Sequence, residues 1–174
     1  MASRLIVLAL AYLAWTAAAW AVEAGDPAPA WIGSDVHGEP VSFPAVAGGK
    51  PAVVVFWATW CPYCKAFMPY LEAIQRDYAA DGVQIVAINA LERGIGDPEA
   101  YLEGLGFPVL GILEGDDIAV AYGVQFIPGL MVVDGAGLVS YRRASTDLPP
   151  GQTLSEFWAL EVREALDLAL RRLH

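Results

Sequence analysis

Two cysteines, placed where an apolar strand turns into a helix, constrain this chain more than any other feature. The segment reads Phe56-Trp57-Ala58-Thr59-Trp60-Cys61-Pro62-Tyr63-Cys64-Lys65, and its cysteines are the only 2 of the 174 residues. Ahead of it, Pro51-Ala52-Val53-Val54-Val55-Phe56 is β-branched and lacks polar alternation. That pattern predicts a strand buried on both faces, as in a parallel sheet. Behind it, Pro62 suits a first helical position, where a missing N–H costs nothing. Ala66, Phe67, Tyr70, Leu71, Ile74 and Tyr78 then recur at helical spacing as far as Asp81-Gly82, with a kink expected at Pro69. A strand that ends in Cys-x-x-Cys and enters a helix presents two thiols at a helix N-terminus, the geometry of a reversible dithiol/disulfide pair.

The remaining punctuation sets the order of elements. Gly25-Asp26-Pro27-Ala28-Pro29 is a breaker cluster that opens the domain. Asp35-Val36-His37-Gly38-Glu39 reads as a turn between short strands near Ala30–Ile32 and Val41–Phe43. Strands follow at Val83–Asn89, Pro108–Ile112 and Leu130–Val133, with a short helix at Pro98–Leu105 and a helical turn at Asp116–Tyr122. Asp134-Gly135-Ala136-Gly137 is a hairpin turn leading to Leu138–Arg142. A last amphipathic helix, Leu154–Leu173, has Phe157, Leu160, Leu166 and Leu170 as its apolar positions. This order predicts an α/β domain with a mixed sheet, helices on both faces and extra N-terminal strands.

The N-terminus reads as an export segment. Arg4 precedes the apolar run Leu5–Trp15, and Ala19-Trp20-Ala21 fits a small-x-small cleavage pattern. Residues 1–21 are then a signal peptide and 22–174 the domain. The alternative is an uncleaved anchor, because Leu5–Val22 carries no charge and approaches the length of a membrane span. Either reading puts the domain outside the cytoplasm, where disulfides persist. A formal net charge of −10 argues against nucleic acid or an anionic membrane surface as partner.

Position suggests roles for the thiols. Cys61 falls at the helix start, where unpaired N–H groups and the positive end of the dipole favour a thiolate. Cys64, one turn further in, is expected to be the more buried. Lys65 adds positive charge, and Trp57 and Trp60 wall the site. Cys61 then attacks a partner's disulfide, and Cys64 resolves the mixed disulfide. A purely structural bridge is the competing reading, but closing so short a loop contributes only roughly 2 kcal/mol. A metal site would need further ligands, and the only histidines are His37 and His174. No cofactor or metal is expected. Pro128, just before a buried strand, also needs a reason. A cis Ile127–Pro128 bond would leave the Ile127 backbone free to pair with a substrate strand beside Cys61, and an ordinary trans proline is the alternative.

Taken together, these residues resemble the thioredoxin superfamily. Trp57-Ala58-Thr59-Trp60-Cys61-Pro62-Tyr63-Cys64-Lys65 is similar to its active site. Gly25-Asp26-Pro27-Ala28-Pro29, Asp35-x-x-Gly38, Val41 and Gly49-Lys50 resemble its TlpA-like branch. Val86-Ala87-Ile88-Asn89, Tyr122-Gly123-Val124 with Ile127-Pro128, and Val132-Val133-Asp134-x-x-Gly137 extend the match to about Arg143. That branch holds exported thiol:disulfide interchange proteins, including reductants of apocytochrome c. The resemblance implies a thioredoxin-like three-layer α/β/α sandwich, Cys61 as nucleophile, Cys64 as resolving thiol, and a cis Pro128 beside them. It also implies Trp60, Ile127 and Pro128 as the substrate-binding surface, protein thiols or disulfides as partners, and an upstream electron donor. Its location would be periplasmic or otherwise extracytoplasmic, with attachment to the inner membrane if the anchor is kept.

Two familiar acids are missing. The buried aspartate six residues before the first cysteine is replaced by Val55, and the glutamate six residues after it by Phe67. Glu92 matches an acidic position common in this branch and is the candidate proton relay, the alternative being a solvated loop residue beside Arg93. Ile127 before Pro128 resembles reductants more than oxidants. Two other functions compete. A peroxiredoxin-like peroxidase needs a Thr three residues before its cysteine, whereas Thr59 is two before Cys61. A copper-handling or client-binding module of this fold usually adds a His ligand and wider cysteine spacing, and neither is evident.

Overall fold

The computed structural model describes residues 21–144, 146–148 and 150–173. The export segment read at residues 1–21 lies, but for Ala21, outside the described residues. No helix among the described residues is long and apolar enough to cross a membrane.

The elements follow the expected order. β1 (Trp31–Ser34) and β2 (Pro40–Phe43) form an antiparallel pair. Then come β3 (Ala52–Trp57), α1 (Pro62–Asp77), β4 (Gln84–Asn89), α2 (Pro98–Glu103), β5 (Leu110–Ile112) and α3 (Asp116–Ala121). The hairpin of β6 (Gly129–Val133) and β7 (Val139–Arg142) precedes the final α4 (Leu154–Arg171). Strands line up as β5-β4-β3-β6-β7, with β3, β4 and β5 parallel and β6 and β7 antiparallel to their neighbours.

Period-two alternation explains why β3 carries no polar residue. Val53, Val55 and Trp57 point to one side of the sheet, where α1, α2 and α4 supply Phe67, Leu71, Ile74, Leu102, Trp158 and Val162. Ala52, Val54 and Phe56 point to the other, where Val41, Phe43, Ala119 and Tyr122 from β2, α3 and their flanks close a second core. β4 and β6 divide their side chains in the same way. The result is a three-layer α/β/α sandwich with β1 and β2 added to one layer. The breaker cluster at residues 25–29 is also bound in: Gly25 N–H donates to Val139 C=O, and Ala28 N–H to Gly137 C=O.

Pro69 lies inside α1, within the stretch that the spacing predicts. Two details depart from expectation. α1 ends at Asp77, and a 3-10 turn over Ala79–Asp81 carries the chain to Gly82. In α4, Leu160 is 49% exposed rather than core-facing. The buried stripe is Trp158, Ala159, Val162, Ala165, Leu166 and Ala169, whose small alanines let α4 lie close against α1.

Candidate active site

Topology brings three chain segments to one end of the sheet. β3 ends at Trp57 and leads to Cys61, and β4 ends at Asn89 and leads to Glu92. β6 runs the other way, so it starts there, directly after Ile127-Pro128. The register pairs Trp57 with Asn89 and Phe56 with Gly129, so the three loops meet around the cysteines.

Cys61 is the N-cap of α1, and Pro62 is its first residue. A disulfide joins Cys61 to Cys64, with Cα atoms 5.3 Å apart. The Cys64 N–H donates to Cys61 Sγ at 3.1 Å, so one of the free donors of the helix start is aimed at this sulfur. Both cysteines are buried, 2% and 1% exposed, so the expected contrast in burial is slight. Their asymmetry is one of position instead: Cys61 caps the helix and accepts the Cys64 N–H, while Cys64 lies inside its first turn. Val55, Phe67 and Trp57 share the apolar cluster of the pair. Apolar surroundings disfavour a thiolate, while the helix N-terminus favours one at Cys61. Lys65 turns to Tyr101, its Nζ 5.8 Å from the ring centroid. Tyr101 in turn packs on Trp57 with ring centroids 4.9 Å apart.

Trp60 is fixed from outside the helix. Its Nε1 donates to Leu91 C=O at 2.8 Å, and the Arg93 guanidinium lies 3.5 Å over its ring. Leu91 has φ +60°, an unfavourable region for a branched side chain. Asp116 offsets this, accepting the Leu91 N–H at 2.7 Å.

Glu92 reaches back across the end of the sheet. Its carboxylate accepts the Thr59 N–H, the Thr59 hydroxyl at 2.8 Å and the Asn89 amide at 2.8 Å. Burial by itself would raise the Glu92 carboxyl. The hydrogen bonds from the Thr59 backbone, the Asn89 amide, the Thr59 hydroxyl and the Arg93 backbone outweigh burial and hold the group below the ordinary carboxylate range. Gly96 closes over this contact, since a Cβ there would run into the Thr59 side chain.

The Ile127–Pro128 bond is cis. Among the described residues Ile127 makes no backbone hydrogen bond, so its N–H and C=O are available. Trp60, Glu92, Arg93, Gln125, Phe126 and Ile127 border one open groove of about 600 Å³. The structure thus brings the sequence candidates Trp60, Glu92 and Ile127 to a single groove, and Pro128 follows Ile127 through the cis bond. A second cis proline bond, Phe43–Pro44, was not anticipated.

A family model described as Redoxin matches residues 23–157. The chain belongs to the Redoxin family. Among Redoxin-like relatives, a thiol-disulfide oxidoreductase ResA from Halalkalibacterium halodurans is 30% identical over 148 residues, covering 82% of this chain and 79% of its own. A thiol:disulfide interchange protein DsbE from Tatumella citrea is 32% identical over 143 residues, covering 80% of this chain and 71% of its own. A thioredoxin-family thiol:disulfide interchange protein from Chlorobium tepidum superposes with TM-score 0.66 at 25% identity, covering 84% of this chain and 97% of that one. The fold of this Redoxin member is therefore thioredoxin-like.

Sequence reasoning passed over several residues that build the site. Thr59 and Asn89 are buried polar side chains at the ends of apolar strands, and both bind Glu92. A polar residue closing a buried strand was the available signal. Arg93 was seen only as a neighbour of Glu92.

Proposed function

We propose that this protein is an exported thiol:disulfide oxidoreductase that reduces disulfides in other proteins. The observation that carries this is the Cys64 N–H aimed at Cys61 Sγ, with Cys61 capping a helix that its own pair opens. Relatives that share most of their length with the chain bear the names of thiol:disulfide exchange proteins, which supports the same chemistry here.

In the proposed cycle the Cys61 thiolate attacks one sulfur of a partner disulfide. A mixed disulfide forms, and the other partner sulfur leaves as a thiolate. Cys64 then loses its proton and attacks Cys61 Sγ. The second partner sulfur leaves, and the Cys61–Cys64 disulfide remains. The partner gains two electrons and the protein loses two, so an upstream dithiol donor must restore it. Trp60 and Pro128 frame the sulfur, and the free backbone of Ile127 pairs with the substrate strand.

Reduction as the direction, and apocytochrome c as the partner class, follow the TlpA-like resemblance and Ile127. Periplasmic location follows the export segment, cleaved or kept as an inner-membrane anchor. The hydrogen bonds of Glu92 to Thr59 and Asn89 favour an anchoring role over proton relay for that residue.

Insulin reduction with a dithiol donor tests the cycle. Wild-type protein is expected to accelerate it, Cys61→Ser to abolish it, and Cys64→Ser to accumulate mixed disulfides visible on a non-reducing gel. Full activity in Cys61→Ser would sink the mechanism.

A further inference from the structure

Consecutive arginines at the end of β7 reach opposite faces of the sheet. Arg142 sends Nη1 to Tyr122 C=O at 2.8 Å and Nη2 to Gly123 C=O at 2.9 Å. Arg143 continues the ladder, its N–H donating to Leu130 C=O at 2.9 Å. Its side chain turns to the other core, where Nε donates to Pro128 C=O at 2.9 Å. The guanidinium carbon lies over two rings, 4.9 Å from both the Phe126 and the Trp158 centroid. The two side chains therefore hold the two ends of one segment, residues 123–128. Between those ends the chain has no regular secondary structure, and it carries Phe126 and Ile127 into the groove beside Trp60.

Arg143 is 6% exposed, an expensive place for a cation. Burial acts to lower its pKa and Arg142 adds to this, while the Tyr141 hydroxyl and the Glu161 carboxylate on α4 oppose it. A guanidinium sits there although a leucine would avoid the cost of burying a charge. What leucine could not do is hold the Pro128 carbonyl.

We infer that Arg142 and Arg143 form a two-pronged clamp that positions residues 123–128 for pairing with a substrate peptide. Both are positioning residues, acting through loop backbone. The clamp rests on the functional reading above and refines it, because it assigns peptide recognition to a loop whose shape is set from β7. Arginine is needed at both places. One guanidinium at 142 spans two successive carbonyls, and at 143 it donates to the Pro128 carbonyl while its carbon lies over two rings. A lysine ammonium keeps the charge and has neither geometry.

Two substrates separate the clamp from a general structural role. Insulin offers a peptide strand to pair with Ile127, and hydroxyethyl disulfide offers only a sulfur–sulfur bond. Arg142→Lys and Arg143→Lys are each expected to lower kcat/KM for insulin by about tenfold, the loss of one charge-assisted hydrogen bond, chiefly through KM. The rate with hydroxyethyl disulfide should stay near that of wild type, and amide exchange at residues 124–127 should speed up. Equal losses on both substrates would overturn the clamp, as would unchanged insulin kinetics. Should Arg143→Lys fail to fold, the half-buried Arg142→Lys carries the same test. Wild-type protein inactive on insulin would instead overturn the functional reading.

Discussion

Glu92 ties the end of β4 to the approach of the cysteines by bonding Thr59, two residues before Cys61. Its carboxyl is held below the ordinary range, so its contribution to stability has a definite sign. It is present at neutral pH, above the unfolded carboxyl's titration, and fades as pH falls through the carboxylate range toward the depressed folded value. Glu92→Gln is expected to lower stability at pH 7 by about 1–3 kcal/mol, the worth of hydrogen bonds to a charged group. The denaturation midpoints of variant and wild type should then converge in acid. A difference that persisted at low pH would remove the charge from the explanation. Cys61 and Cys64 were legible because their chemistry is local, four residues on one turn. The partners of Glu92 were not, because Thr59 lies 33 residues away and only strand pairing brings it near.

Helix ends carry much of the information at the next scale. α1 starts on a cysteine N-cap with Pro62 behind it and has no acid in its first turn, so no like charge on the helix start opposes a thiolate there. α4 starts on a capping box in which Thr153 Oγ1 accepts the Glu156 N–H at 3.3 Å and Glu156 Oε2 accepts the Thr153 N–H at 2.8 Å. Thr153→Ala is expected to cost about 1 kcal/mol and lower Tm by about 3 °C, with thiol exchange unaffected, as calorimetry and an insulin assay would report. A much larger fall would mean that Thr153 supports more than its helix. Element order was legible because apolar period and breakers are written along the chain. The buried stripe of α4 was harder to see. Its helical period was visible, but Leu160 faces outward while Ala159, Ala165 and Ala169 face inward, a choice made by the close approach of α1.

For the whole molecule, redox direction is a difference in stability between two states. A reductant is a protein whose disulfide form is the favoured one, so its reduction potential lies below that of the glutathione pair. By linkage, the oxidised form of such a protein resists denaturant better than the reduced form. Equilibration with glutathione is expected to give a potential below that pair, and urea unfolding a higher midpoint for the oxidised protein. The opposite order in both would identify an oxidant and reverse the proposed flow of electrons. The apolar cluster that the pair shares with Val55 and Phe67 favours this outcome, since apolar surroundings disfavour thiolates in general.

By itself the sequence determined the redox pair, the strand–helix junction that bears it, the order of elements and the place of Pro128. Each of these depends on neighbours along the chain: apolar period, helix capping and turn residues. Tertiary structure alone decided what surrounds the pair. Antiparallel β6 brings Ile127 and Pro128 to the end of β3, parallel β4 brings Asn89 and Glu92 there, and β7 aims Arg142 and Arg143 at the loop between. These partners meet across strand pairings, and no local pattern records which carbonyl a distant arginine will hold.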